Sequence, residues 1–182
     1  MHQFFKTLSF ILNPIFLIIG LYIIGMVISK FSVIEKLLIS TIQLIIPLTF
    51  FAAHLYNKKI DFDLTARKTR IPLLTITLVC FIFGTLVIYL GGYYSELKLQ
   101  GGLFFLILIF TLITIKWKIS FHTFVLSMST VLMFKYFGEI FIYIALITLP
   151  LIMYARVYLG KHSVLQVVTG TILGLSITFF LF

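Results

Sequence analysis

Long apolar stretches alternate with short polar loops along the whole chain. A helix that spans a membrane needs about 20 consecutive, predominantly apolar residues. Seven runs approach this length, at about residues 8–29, 37–55, 73–90, 103–115, 123–134, 140–154 and 163–182. Two of them, 103–115 and 123–134, are short, so they either extend through flanking residues or form half-buried helices. The pattern predicts an all-α protein, a polytopic transmembrane helical bundle of six or seven helices in a single domain that covers residues 1–182.

The composition points to the same class. Hydrophobic residues make up 62% of the 182 residues, whereas a soluble domain has roughly 45–50% apolar residues. The chain has too few polar residues to cover a water-exposed surface, so we expect a multi-pass integral membrane protein. The first apolar run has no small-residue cleavage site, and we interpret it as a retained helix.

The chain is basic, with 14 Lys and Arg against 5 Asp and Glu. In a membrane protein such residues lie beside anionic headgroups, so we expect membrane lipids and no nucleic acid as partners. Asp61 and Asp63 are the residues that a metal–diphosphate site would use, but such sites need several carboxylates. We interpret both as loop residues or as partners of Arg67 and Arg70, and we expect no metal and no other cofactor.

Three polar clusters interrupt the apolar pattern, at Lys58–Arg70, Lys116–His122 and Arg156–His162. If the chain has seven spans, two spans separate each cluster from the next, and all three lie on one side of the membrane. Ten basic residues fall on that side and four on the other, which favours the cytoplasm. Basic residues that bind phosphate would also raise the number on the side of the three clusters, so the orientation stays open. We expect a bacterial-type plasma membrane.

Two histidines stand at the beginnings of apolar runs, each close to basic residues. His122 precedes the run at 123–134, and His162 precedes the last run. Ionisable groups at a membrane edge are candidates for function. The alternative is that both are interfacial histidines beside lipid headgroups.

The stretch ARVYLGKHSVLQ resembles the third motif of the type 2 phosphatidic acid phosphatase family, which are membrane lipid phosphate phosphatases. That motif is Ser-Arg, five residues, His, three residues, Asp. Arg156 and His162 match it at the right spacing, whereas Ala155 replaces the serine and Gln166 replaces the aspartate.

The two other family motifs are present in part, so the resemblance covers a phosphatase-like core at about residues 56–182. The second motif, Pro-Ser-Gly-His, corresponds to Ile119-Ser120-Phe121-His122. The first motif is a lysine, six residues, then Arg-Pro, and here it is loosened to Arg70-Ile71-Pro72. The lysine position is Asp63, and Arg67 or Lys68 are the cations that would replace it.

The resemblance implies a metal-independent hydrolase that acts on a lipid phosphate or an isoprenoid (polyprenyl) diphosphate. His162 would attack phosphorus to form a phosphohistidine, and His122 would protonate the leaving oxygen. Arg156 and Arg70 would hold the phosphate oxygens, and arginine can do so with two hydrogen bonds. Ser120 and the backbone amides at the start of its helix would add donors.

Gln166 is the departure that bears most on activity. Its amide oxygen can accept a hydrogen bond from Nδ1 of His162 one helical turn away, but it lacks the charge of an aspartate. We therefore expect a slower or more specialised phosphatase, for which a diphosphate is the more suitable substrate. The alternatives are a weakened or inactive relative that binds lipid phosphates or serves as a partner subunit, and a small transporter or assembly subunit.

Overall fold

The computed structural model describes all 182 residues, and they form nine α-helices and one π-helical turn without any β-strand. The elements are α1 (His2–Ile11), α2 (Pro14–Ile28), α3 (Val33–Ser40), the π-helical turn (Thr41–Ile45), α4 (Ile46–Tyr56), α5 (Arg67–Leu90), α6 (Tyr94–Lys116), α7 (Phe121–Phe137), α8 (Ile140–Tyr158) and α9 (Val164–Leu181). The prediction of an all-α protein is confirmed.

The elements line up in seven helical segments, and six of them are long and apolar enough to cross a membrane. These six are His2–Ile28, Val33–Tyr56, Arg67–Leu90, Tyr94–Lys116, Ile140–Tyr158 and Val164–Leu181. The chain is therefore an integral, multi-pass membrane protein. The seventh segment, α7, has 17 residues, of which 11 are buried, so it is an interior helix. Both short runs extend through flanking residues.

Several helix boundaries differ from the prediction. The first apolar run is not one helix, because α1 ends before Asn13, whose Oδ1 accepts the N–H of Ile15 at 2.9 Å and caps α2. The third helix begins at Arg67 rather than Leu73, because the basic residues form its first turns although they lower its hydropathy. Pro72 therefore lies inside α5 and not at its start.

The second segment contains the π-helical turn, which ends two residues before Pro47. Proline has no N–H to donate to the carbonyl group of Gln43, four residues earlier. A π-helical turn shifts the hydrogen bonding locally from four residues to five, which lets the helix continue past that gap.

The helices form two compact units, and the predicted phosphatase-like core is divided between them. One unit consists of residues 1–21 with 118–182, and the other of residues 22–117. We call them the terminal unit and the central unit. The residues that resemble the second and third motifs belong to the terminal unit. The residues that resemble the first motif belong to the central unit.

In the terminal unit, α7 packs against α8 and α9, and α1 packs against α8. Two glycines bring α9 unusually close to α7. A Cβ atom on Gly170 would lie 2.5 Å from Oγ1 of Thr123, and one on Gly174 would lie 2.5 Å from the carbonyl oxygen of Phe124. Small residues at this four-residue spacing are typical of tightly packed membrane helices.

In the central unit, a pair of buried amides joins two helical segments. Nε2 of Gln43 donates to Oε1 of Gln100 at 3.1 Å, and both side chains are buried. The Gln43 side chain lies directly against Gly84 of α5, where any larger residue would overlap it. Interhelical hydrogen bonds of this kind stabilise helix packing inside a membrane.

Candidate active site

The beginnings of α7 and α9 are hydrogen-bonded to each other. The N–H of Ser120 donates to the carbonyl oxygen of Gln166 at 3.1 Å, and Oγ1 of Thr123 donates to that of Val167 at 3.1 Å. Ser120 is also the N-cap of α7, where its hydroxyl oxygen accepts the N–H of Thr123 at 3.4 Å. The stretches that resemble the second and third motifs are therefore neighbours within the terminal unit.

The turn between α8 and α9 connects Arg156 to His162. The carbonyl oxygen of Arg156 accepts the N–H of Lys161 at 3.0 Å and that of His162 at 3.3 Å. Gly160 takes the left-handed conformation that this turn requires, with φ of 65°. Nζ of Lys118 donates to the carbonyl oxygen of Lys161 at 2.9 Å, so the segment before α7 also holds the turn.

His162 and Gln166 are hydrogen-bonded, with 3.1 Å between Nδ1 and Oε1. The geometry differs from the expected one, because His162 precedes the N-cap residue Ser163 and is not part of α9. Gln166 instead reaches back through a capping box, in which its Oε1 accepts the N–H of Ser163 at 3.2 Å. Its own N–H donates to the Ser163 hydroxyl at 3.4 Å.

This arrangement determines the tautomer of His162. The backbone N–H of Ser163 can only donate, so the Gln166 atom that faces it is the amide oxygen. The same oxygen faces Nδ1 of His162, which must therefore carry a proton. In a neutral imidazole the lone pair is then on Nε2.

The site residues of the terminal unit are buried. Arg156 and Ser120 are 0% exposed, His122 is 1% exposed and His162 is 6% exposed. The unit has five Lys and Arg residues and one carboxylate side chain, Glu139, which lies at the opposite end of α8 from Arg156. Buried positive charge acts strongly on a nearby anion, because the surrounding dielectric constant is low.

Sequence reasoning missed one residue that contacts this group. Nη1 of Arg156 donates to Oγ of Ser9 at 2.6 Å, and Ser9 is only 3% exposed. Ser9 lies on α1, outside the part of the chain that resembles the phosphatases. The only signal in the sequence is a serine within a predominantly apolar run.

The three cations of the first motif lie in the central unit and have different surroundings. Arg70 is 2% exposed, and its Nε donates to the carbonyl oxygen of Leu64 at 2.5 Å. Arg67 is half-buried and donates from Nη1 to the carbonyl oxygen of Ile115 at 3.0 Å, whereas Lys68 is exposed. That these three meet the two histidines stays a prediction.

The acidic loop of the central unit has a local structural role. Asp61 accepts hydrogen bonds from the backbone N–H of Thr65 at 2.9 Å and from its hydroxyl at 2.5 Å, which closes a turn before α5. No group of three or more His, Cys, Asp or Glu side chains has the geometry to hold a metal ion.

No protein-family model, no curated protein and no solved structure matches this chain. The resemblance to the phosphatases consequently rests on the motif residues themselves. Within the terminal unit, the geometry that bears on it is the contact between the starts of α7 and α9 and the hydrogen bond between His162 and Gln166.

Proposed function

We propose that the protein is a membrane-embedded phosphatase that removes phosphate from a lipid phosphate or a polyprenyl diphosphate. The hydrogen bond from Nδ1 of His162 to Gln166 carries this proposal, because it leaves Nε2 as a nucleophile with a fixed ring orientation. The buried Arg156, whose carbonyl oxygen holds the backbone of His162, supports it. We propose a bacterial-type plasma membrane as its location.

The first chemical step forms a phosphohistidine. Nε2 of His162 attacks phosphorus, and the N–P bond forms as the bond from phosphorus to the leaving oxygen breaks. The leaving oxygen takes a proton from the His122 imidazolium, which becomes neutral. Attack places positive charge on the His162 ring, and the Gln166 oxygen stabilises that charge through the Nδ1–H bond.

The second step restores the enzyme. A water oxygen attacks phosphorus and gives a proton to neutral His122, while the N–P bond breaks. Inorganic phosphate leaves, and His162 returns to its neutral form with the proton on Nδ1. One P–O bond is thus exchanged for another, and each histidine ends in its starting state.

Charge stabilisation comes from the protein's own cations and amides. Arg156 faces the developing charge on the phosphoryl oxygens, and Ser120 with the backbone amides at the start of α7 provides further donors. In this proposal Arg70 is a second guanidinium for the phosphate, and Arg67 and Lys68, in the first turn of α5, attract the anionic headgroup.

A second candidate function is binding of lipid phosphates without turnover, as an inactive relative or a partner subunit. The observation that favours it is the shared use of Oε1 of Gln166, which accepts from both His162 and Ser163. A neutral oxygen divided between two donors stabilises a cationic ring less than an aspartate would. A diphosphate has the better leaving group, so we propose it as the preferred substrate if turnover occurs.

The test measures inorganic phosphate released by the purified protein from phosphatidate, phosphatidylglycerophosphate and polyprenyl diphosphates. We expect release by the wild type and none above background by His162→Ala. His54→Ala is the matched control, because His54 bonds only to the carbonyl oxygen of Phe50 in its own helix and should leave the rate unchanged. Equal release by wild type and His162→Ala would refute the enzymatic proposal, and saturable binding without release would support the second candidate.

A further inference from the structure

The amino-terminal helix brings a serine hydroxyl to the buried arginine of the site. Phe5 of α1 packs against Tyr154 and Tyr158 of α8, with ring centroids 5.2 and 5.0 Å apart. These contacts lie beside Arg156, and one helical turn after Phe5 the Ser9 oxygen accepts the hydrogen bond from Nη1 at 2.6 Å. A contact between α1 and the last turn of α8 thus reaches the guanidinium.

The proton of the Ser9 hydroxyl has no acceptor within the protein. Several helical hydroxyls in this chain donate to the carbonyl oxygen four residues earlier, as Thr111, Ser129 and Thr171 do at 2.7, 2.7 and 3.0 Å. Ser9 makes no such bond to Phe5. A guanidinium has only donors, so the Ser9 oxygen is the acceptor in its contact with Arg156, and its proton stays available.

A buried donor beside a guanidinium fits a ligand that offers several acceptor oxygens close together. Inorganic phosphate and the phosphoryl group of a lipid phosphate have this chemistry, and a single anion can then accept from Arg156 and Ser9 at once. An unsatisfied buried donor is unfavourable, so the ligand would stabilise a group that the free protein leaves without an acceptor.

We infer that Ser9 is a ligand of the substrate's phosphate group, contributed by a helix that lies outside the phosphatase-like core. The inference rests on the proposed function in placing the phosphate at Arg156. It goes further in assigning part of the anion site to the amino-terminal segment, so that α1 is needed for phosphate binding as well as for packing.

The experiment uses the full-length protein in detergent or lipid nanodiscs and compares Ser9→Ala, Ser9→Thr and Thr7→Ala. Thr7 is the matched control, because it lies on the same helix and is exposed. The binding probe is inorganic phosphate, measured by the rise in thermal unfolding temperature with concentration. We expect Ser9→Ala to weaken phosphate binding about tenfold, as for one charge-assisted hydrogen bond. Ser9→Thr and Thr7→Ala should bind as the wild type does.

Catalysis provides the second measurement. Loss of a phosphate ligand should raise KM for the lipid substrate by a similar factor, whereas a merely structural role of Ser9 would lower the unfolding temperature without phosphate and leave KM unchanged. If Ser9→Ala does not yield folded protein, Ser9→Cys takes its place, because its thiol is only a weak hydrogen-bond donor.

The outcomes separate this inference from the proposed function. If the wild type binds phosphate through Ser9 but releases none from lipids, the role of Ser9 as a phosphate ligand is supported and the phosphatase proposal is refuted. If both Ser9→Ala and Ser9→Cys bind phosphate with wild-type affinity, the role of Ser9 is refuted and the phosphatase proposal is unaffected. Wild type that binds no inorganic phosphate at all would also refute the role of Ser9.

Discussion

Nδ1 of His162 lies 3.1 Å from Oε1 of Gln166, and the same oxygen caps the start of α9 by accepting the N–H of Ser163 at 3.2 Å. One side chain therefore orients the proposed nucleophile and caps the start of α9. These two hydrogen bonds limit which residues can replace glutamine, because the side-chain oxygen must reach both donors. Side-chain length matters at this position as much as charge.

We expect Gln166→Glu to raise turnover about tenfold. Glutamate keeps the length that the capping box needs, and its charge strengthens the bond to the His162 ring as positive charge develops there, since charge-assisted bonds are roughly twice as strong as neutral ones. The measurement is kcat for phosphate release from a polyprenyl diphosphate.

Gln166→Asp tests the same charge on a shorter side chain. We expect it to raise turnover as well, by less than glutamate if the shorter carboxylate no longer reaches the Ser163 amide. A comparison of the unfolding temperatures of both variants gives the capping contribution separately. If neither carboxylate raises the rate, the site is tuned to glutamine and the weakened-site interpretation of Gln166 is wrong.

Gly170 is a position where α9 has no room for added volume. A Cβ atom there would lie 2.5 Å from Oγ1 of Thr123 and 2.8 Å from the carbonyl oxygen of Ser120, and both atoms hold the α7 start. We expect Gly170→Ala to destabilise the protein by about 1–3 kcal/mol, the usual range for overpacking. Thermal unfolding measures it, with Gly20→Ala as control because a Cβ on Gly20 meets nothing within 4 Å. An unchanged unfolding temperature for Gly170→Ala would contradict the close packing.

The sequence predicted the helical class well, because apolar run length is a local property that a membrane imposes directly. It also predicted that Gln166 would accept a bond from His162, since the two are four residues apart. It could not predict the route through the Ser163 capping box, which depends on where α9 begins. The contact of Ser9 with Arg156 could not be predicted, because the two residues are 147 positions apart and no local sequence pattern indicates it.

The Gln43–Gln100 pair should show the asymmetry of buried hydrogen bonds. Gln100→Met leaves the Gln43 amide without its acceptor, at a cost of about 1–3 kcal/mol, whereas replacing both glutamines by methionine removes that donor and acceptor together and gives up only the long contact of 3.5 Å from the Tyr22 hydroxyl to Gln43. We therefore expect the double variant to unfold at a higher temperature than Gln100→Met. Gln3→Met at an exposed position is the control. A double variant less stable than the single one would show that the amides contribute more than their mutual bond.

Tyr93 and Glu35 should make the central unit sensitive to alkaline pH. The Tyr93 hydroxyl donates to the Glu35 carboxylate, and this hydrogen bond raises the pKa of Tyr93 above its ordinary value of 10.0. The folded protein thus holds the proton more tightly than the unfolded chain does. The resulting stabilisation is fully present below the unfolded-state pKa and is lost as the pH rises through the folded-state pKa.

The titration of Tyr93 is measured by tyrosinate absorbance, taken as the difference between wild type and Tyr93→Phe. We expect Glu35→Gln to lower the pKa of Tyr93. An unchanged Tyr93 titration in Glu35→Gln would mean that the bond does not form in solution.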